Sequence, residues 1–231
     1  MLKIKISSVA PADGLKIQDE GVATALVVRR DSQQNPRYYL MSCLHVYGLL
    51  RYNANQYQNT TYIYDSKNTH IATYKGLCGS LHTVNKGLWS FDMALAEVEN
   101  SQLEELEKVF SELPKDPWNA LTKWPKSTPI SIKTDMFAKT NASNLQLLRG
   151  NQQRVFYRAN PDFSAAFRTV VKYQTDTQPG DSGSPVVTDK HFLGMHIAGN
   201  GTVGYMLPAE DIINNAHLFI KQLNGDQLSL L

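Results

Sequence analysis

Short runs with the residue pattern of β-strands recur along this chain of 231 residues, and they constrain its fold more than any other feature. Gly, Pro, Asn and Asp, which favour turns, separate the runs. The predicted strands are 21–29, 37–43, 60–64, 71–74, 88–98, 130–133, 137–139, 145–148, 155–158, 167–175, 186–188, 192–198 and 203–206. So many short strands indicate an all-β protein, either a pair of barrels or a sandwich.

Two helical patterns interrupt the strands. Ser101 and Glu104 have the spacing of a capping box, and an apolar stripe follows them. A second amphipathic pattern runs from 209 to 223, just after Pro208. The Pro-rich segment 114–129 is typical of a linker. We therefore predict two strand-rich domains: residues 1–113, which include the connecting helix, and residues 114–231, which include the linker and the C-terminal helix.

Composition excludes several classes of partner. The hydrophobic fraction of 42% is sufficient for a packed core, and a net charge of +2 gives no basis for binding nucleic acid or an anionic membrane. No apolar run approaches the length of a transmembrane span, and no secretion signal is evident at the start. Cys43 and Cys78 are expected to be free buried thiols. We expect a cytoplasmic protein, or one exported without a cleavable N-terminal signal.

The segment Gly180-Asp-Ser-Gly-Ser-Pro185 carries the strongest chemical signal. Its glycines allow unusual backbone angles on both sides of Ser182, which exposes a serine on a tight turn. The backbone N–H groups of Gly180 and Ser182 are then candidates for stabilising an oxyanion. An ordinary surface turn has a similar composition, so the motif needs partners to indicate catalysis.

A serine hydroxyl becomes a useful nucleophile only with a base, and the base needs an acceptor that orients it. His45 follows the predicted strand 37–43, where a histidine by itself is more often structural. Asp92 lies among core-type residues, where a carboxylate is costly unless it is paired. The chain order His45, Asp92, Ser182 is the order of the chymotrypsin triad.

On these residues the sequence resembles the chymotrypsin-like (trypsin-like) serine peptidases. Segment 180–185 matches the nucleophile motif of that family, and 91–95 is similar to its Asp-Ile-Ala-Leu segment. Segment 42–45 is similar to Thr-Ala-Ala-His, although Cys43 and Leu44 depart from it. The resemblance implies an all-β fold of two packed six-stranded antiparallel β-barrels with an inter-barrel helix and a C-terminal helix.

The resemblance also implies acyl transfer from a protein or peptide substrate. Ser182 would attack the carbonyl, His45 would move the proton, Asp92 would orient the imidazole, and the N–H groups of Gly180 and Ser182 would form the oxyanion hole. No cofactor or metal is implied, and no other histidine has metal-ligand spacing. Val46 replaces the cysteine that follows the histidine in trypsin, and no amine donor is evident for Asp181.

The residues allow two interpretations of the substrate specificity. Thr177, His196 and Gly199 resemble the segments with which glutamyl endopeptidases and viral 3C-like peptidases bind Glu or Gln. Imidazole and hydroxyl groups can both donate to a side-chain carbonyl or carboxylate. Asp176 stands six residues before Ser182, as the pocket aspartate does in trypsin, and would instead bind Lys or Arg.

We favour an active serine endopeptidase that cleaves after Glu or Gln. The principal alternative is a protease-like binding module with a vestigial or regulated site, and a third reading is an acyl transferase or esterase. Because an unrestrained cytoplasmic protease would be hazardous, we also expect narrow specificity or a regulatory protein partner.

Overall fold

The structure is a computed structural model that describes residues 2–30, 35–48, 60–82, 88–119, 129–133, 139–149, 154–157 and 160–231. Its strands, in chain order, are β1 (Leu2–Ser7), β2 (Asp19–Ala23), β3 (Ala25–Arg30), β4 (Pro36–Ser42), β5 (Thr61–Tyr64), β6 (His70–Cys78), β7 (Ala94–Val98), β8 (Asp116–Pro117), β9 (Ile130–Lys133), β10 (Lys139–Arg149), β11 (Arg154–Tyr157), β12 (Asn160–Ala166), β13 (Thr169–Gln174), β14 (Pro185–Val187), β15 (His191–Gly199), β16 (Val203–Pro208) and β17 (Leu228–Leu230). The helices are α1 (Leu44–Tyr47), α2 (Leu103–Phe110) and α3 (Ala216–Phe219).

The N-terminal strands form one curled antiparallel sheet. It has eight strands in the order β17-β3-β4-β7-β6-β5-β1-β2. Along β3 the residues Ala25–Val28 are all buried. Because both faces of the strand are covered, the segment is apolar at every position. The larger of two apolar clusters includes buried residues of this sheet together with Phe192 and Met195 of the second sheet.

The second sheet closes into a barrel. Six antiparallel strands follow one another in the order β14-β9-β10-β13-β16-β15, and β14 also pairs with β15. β8 adds to β15 in parallel, and β11 and β12 form a separate hairpin. The all-β prediction and the expectation of a chymotrypsin-like double barrel are confirmed, with eight strands rather than six in the first sheet.

The sequence analysis missed four strands: β1, β8, β12 and β17. β1 alternates Lys3 and Lys5 with the buried Ile4 and Ile6, a regular strand pattern at the start of the chain. β17 is three residues long and returns from the C terminus to pair with β3 of the first sheet. The division after residue 113 stays a prediction, and the strand predicted at 137–139 lies mostly outside the described residues.

The predicted strand 88–98 was too long. β7 begins only at Ala94, and Ser90 makes an isolated bridge to Phe167. Phe91, Asp92 and Met93 are all buried, which a two-faced strand does not allow when one face meets solvent. The predicted strand 21–29 is likewise two strands, separated at Thr24.

The capping box does not form. A 3₁₀ turn covers Asn100–Gln102, α2 begins at Leu103, and its N-cap makes no side-chain capping bond. Glu104 instead pairs with Lys108 at 2.9 Å, four residues further along the helix. The apolar stripe is nonetheless correct, since Leu106 and Phe110 are buried.

The predicted helix 209–223 is broken into short turns. A π-helical turn covers Glu210–Asn214, α3 follows, and a 3₁₀ turn covers Lys221–Leu223. The Asn215 N–H donates to the Glu210 carbonyl oxygen at 3.0 Å, five residues back, which widens the first turn. The apolar side chains of the pattern still belong to the larger apolar cluster or pack against it. None of the described helices has the length and apolar character needed to cross a bilayer.

Candidate active site

His45 and Asp92 form a buried pair at the ends of two neighbouring central strands of the first sheet, β4 and β7. β4 ends at Ser42, Cys43 is extended, and the single turn of α1 then carries His45, which is 8% exposed. Asp92, which is fully buried, lies two residues before β7, the neighbour of β4. The sheet therefore brings together two residues that are 47 positions apart in the chain.

Both carboxylate oxygens of Asp92 contact the same residue. Oδ2 lies 2.6 Å from His45 Nδ1, and Oδ1 accepts the His45 backbone N–H at 3.0 Å. The first contact orients the imidazole, and the second holds the carboxylate against the backbone of the same residue. A buried carboxylate is stable only with such partners, so the pair explains how Asp92 tolerates complete burial.

The turn that carries Ser182 is closed by Asp181. Asp181 Oδ2 accepts the Gln178 N–H at 2.7 Å, and the Asp181 carbonyl accepts the Ser184 N–H at 3.0 Å. Gly180 and Gly183 have φ angles of +94° and +93°, the left-handed region that glycine favours. Among the described residues, neither the Gly180 N–H nor the Ser182 N–H is a donor in this turn.

Asp181 has a nearby positive charge. Burial raises the pKa of Asp181, while its hydrogen bond from Gln178 and the charge of Lys3 lower that pKa. Lys3 pairs with Val22 in the β1–β2 ladder, and the Val22 N–H donates to the Ser182 carbonyl. The sequence analysis found no cation for Asp181, because this neighbour lies almost the whole chain away.

Backbone contacts dock the Ser182 turn on the first sheet. The Val22 N–H donates to the Ser182 carbonyl at 3.0 Å, and Thr24 Oγ1 donates to the Gly183 carbonyl at 2.6 Å. A Cβ added at Gly21 would lie 2.6 Å from Val46 Cγ1 and 3.4 Å from the Ser182 carbonyl oxygen. The segments that carry His45, Asp92 and Ser182 thus meet at one junction between the two sheets.

We predict unequal effects of alanine at the two glycines of this turn. In Gly183→Ala the new Cβ would lie 1.9 Å from the Val22 carbonyl oxygen, so strain and overpacking should together lower the free energy of unfolding by about 3 kcal/mol or more. Gly180→Ala is the matched control, since its φ is nearly the same but no atom lies within 4 Å of the added Cβ. It should lose only about 1–2 kcal/mol. Urea unfolding of both variants measures the difference, and equal losses would contradict this packing.

The three residues predicted to form the specificity pocket also meet. A Cβ added at Gly199 would lie 2.7 Å from Thr177 Oγ1 and 3.3 Å from His196 Cε1. Thr177 Oγ1 is buried and has no hydrogen-bond partner among the described residues. Asp176, the alternative pocket residue, is exposed to solvent.

His196 is a buried neutral imidazole. Burial, followed by the charge of His45, lowers the pKa of His196 to about 3. Its Nδ1 is hydrogen-bonded to the hydroxyl of Tyr173 on β13, and burial raises the pKa of Tyr173 well above its ordinary value. The sequence analysis did not identify Tyr173 as a site residue, because the only signal at this position was the apolar pattern of a strand.

Comparison by sequence finds no matching family model and no matching characterised protein. Comparison of folds finds a glutamic acid specific serine protease, described as using a novel histidine triad in substrate binding, at 11% identity and a TM-score of 0.50, over 92% of this chain and 94% of that one. The chymotrypsin of Cellulomonas bogoriensis aligns over 99% of this chain and 94% of its own at 13% identity and a TM-score of 0.49. The active form of the Rv3671c protease of M. tuberculosis aligns over 95% and 80% at 18% identity and 0.49.

The chain has the chymotrypsin-like fold. The strand topology and the likeness to the glutamic acid specific protease both support that statement. At such low identity the likeness establishes the fold alone, so the chemistry of this chymotrypsin-like protein has to be argued from its own residues.

A buried thiol lies beside the His45–Asp92 pair. Ligand-type atoms of Cys43, His45 and Asp92 all lie within 4.8 Å of one another. Cys43 Sγ donates to the His196 carbonyl at 3.3 Å, and burial together with the Asp92 charge raises the pKa of Cys43 well above its ordinary value. Cys43 and Cys78 are both free and buried, as predicted.

Proposed function

We propose that the protein is a serine endopeptidase that hydrolyses peptide bonds through Ser182, His45 and Asp92. The observation that carries the proposal is the buried contact of 2.6 Å between His45 Nδ1 and Asp92 Oδ2, beside the docked turn of Ser182. A buried imidazole held by a carboxylate supplies the oriented base that a serine nucleophile requires, and the glycine-flanked turn supplies the serine.

The reaction would proceed through an acyl-enzyme. Ser182 Oγ attacks the peptide carbonyl carbon while His45 Nε2 accepts the hydroxyl proton, and the resulting imidazolium is stabilised by Asp92. The N–H groups of Gly180 and Ser182 donate to the oxyanion. His45 then protonates the leaving amine, and water attacks the acyl-enzyme by the same steps in reverse.

The two contacts of Asp92 suit this role. With the Nδ1 proton directed at Oδ2, the lone pair of the neutral ring is on Nε2, the nitrogen that must accept the serine proton. The bond from the His45 N–H to Oδ1 orients the carboxylate itself, so the ring needs little rearrangement when it becomes charged.

We further propose that the residue before the scissile bond is Gln or Glu, with Gln preferred. Tyr173 remains a phenol that can donate to His196 Nδ1, which leaves the proton of the neutral imidazole on Nε2. That N–H and the unpartnered hydroxyl of Thr177 are two neutral donors near Gly199. Neutral donors satisfy an amide oxygen fully but offset little of the desolvation of a carboxylate.

A panel of peptides that differ only in this residue tests the proposal. We expect cleavage after Gln and no cleavage after Lys. As pH falls from 7 to 5, the ratio of kcat/KM for Glu over Gln should rise more than about tenfold, because Glu becomes protonated near its pKa of about 4.3. His196, with its pKa at about 3, stays neutral across this range and does not contribute to the change.

Two threonine variants control the same panel. Thr177→Val removes the hydroxyl near Gly199 and should lower cleavage after Gln, because the amide then lacks a donor. Thr175→Val removes another buried, unpartnered hydroxyl outside the proposed pocket and should leave the ranking unchanged. A preference for Lys or Arg, or a ratio that is constant with pH, would reject this pocket.

A further inference from the structure

We infer that Cys43, His45 and Asp92 form an inhibitory site for a thiophilic divalent cation, of which Zn²⁺ is the natural example. Metal binding by these residues stands on their geometry alone. The inhibition rests on the proposed function, because only a peptidase can lose peptidase activity. Among the described residues these three are the one group of thiol, imidazole and carboxylate ligands brought together by the fold.

The ligand atoms are close to the spacing that Zn²⁺ requires. Tetrahedral Zn²⁺ with bonds of 2.0–2.3 Å holds its ligand atoms about 3.3–3.6 Å apart. His45 Nδ1 and Asp92 Oδ2 would separate from 2.6 Å, and the thiol would approach from within 4.8 Å. Cys43 Sγ is free to turn toward the ion, because its bond to the His196 carbonyl is a weak S–H donor contact.

The charge of the bound site suits a buried position. Cys43 loses its thiol proton to solvent on binding, and Asp92 supplies one negative charge as a carboxylate. The two negative charges together balance the two positive charges of the cation. A neutral cluster avoids the large penalty of burying net charge at residues that are almost fully enclosed.

Binding would also place the imidazole proton on the wrong nitrogen. The cation takes the lone pair of His45 Nδ1, so the proton shared with Asp92 moves to Nε2 of the same ring. No proton is gained or lost by the imidazole in this exchange. A ring protonated at Nε2 cannot accept the Ser182 proton, and the enzyme is inactive until the cation leaves.

The ligand set and its burial predict selectivity and slow onset. Thiolate and imidazole favour Zn²⁺ and Co²⁺, whereas Mg²⁺ and Ca²⁺ require oxygen ligands. The side chain of Asp92 is 0% exposed and that of His45 is 10% exposed, so the cation enters when the imidazole moves aside. Inhibition should therefore develop more slowly than diffusion would allow.

The experiment uses the full chain after treatment with a chelator. Micromolar Zn²⁺ should inhibit peptide cleavage slowly, excess chelator should restore it, and Mg²⁺ or Ca²⁺ should have no effect. Cys43→Ala should raise the Zn²⁺ concentration for half-inhibition at least about tenfold, and Cys43→Ser should act in the same direction. Cys78→Ala is the matched control, since it removes the other buried thiol and should keep the wild-type sensitivity.

A direct measurement separates metal binding from catalysis. Co²⁺ added to the Ser182→Ala chain should give a thiolate-to-cobalt charge-transfer band at one ion per chain, and Cys43→Ala in that background should abolish it. If the band appears but no peptidase activity exists, the proposed function fails and the metal site stands. Absence of the band, or equal Zn²⁺ sensitivity of the wild type and Cys43→Ala, overturns the inference.

Discussion

Replacing Ser182 with alanine should lower kcat for peptide cleavage by about 10⁶-fold, because the acyl-enzyme loses its nucleophile while substrate binding remains. The variant keeps the turn closed by Asp181 and the docking contact from Val22, both of which involve groups other than the Ser182 hydroxyl. KM should therefore change little. Steady-state kinetics on the Gln-containing peptide measures both constants.

A fluorophosphonate probe gives the control for this result. The wild type should be labelled at Ser182, and the Ser182→Ala chain should not be labelled. Ser184→Ala removes a second serine of the same motif, whose Oγ is buried and unpartnered among the described residues, and should leave labelling intact. A wild-type chain that never reacts, or a Ser182→Ala chain that still cleaves, would favour the binding-module alternative over the endopeptidase.

Asp92→Asn should lower kcat by about 10⁴-fold while leaving the fold intact. The asparagine amide would donate to His45 Nδ1 where the carboxylate now accepts, which places the ring proton on Nε2 and removes the base. The same tautomer is the one that Zn²⁺ would impose, so this variant mimics the inhibited state without a metal. kcat on the Gln-containing peptide and circular dichroism of the variant are the measurements.

Asp19→Asn is the matched control for charge near the imidazole. The charge of His45 lowers the pKa of Asp19, against a larger rise from burial, so the two groups interact electrostatically. The imidazole Nδ1 is nevertheless hydrogen-bonded to Asp92 Oδ2. We expect Asp19→Asn to stay within about tenfold of wild type. Equal losses in the two variants would mean that general electrostatics, and not orientation of the ring, is what the reaction needs.

The prediction of the candidate site depended on residue types whose chemistry is restrictive. A glycine-flanked serine, a histidine after a strand and an aspartate among apolar residues can each have a purely structural role. Their order along the chain made the combination informative. Strand period and turn residues predicted an all-β protein and left a pair of barrels or a sandwich open. The resemblance to the chymotrypsin-like peptidases implied barrels, and the second sheet does close into one. The lengths of elements were less well predicted, as in the broken helix at 209–223.

The chain by itself determined which segments are apolar, where turns fall and which side chains can do acyl chemistry, because those properties belong to individual residues and their nearest neighbours. Tertiary structure alone decided that Asp92 meets His45, that Cys43 lies beside both and that His196 is neutral. It also decided that β17 returns to the first sheet. Burial and proximity arise only when distant strands pair, and no local pattern encodes the low polarity or the neighbouring charge that each group then experiences.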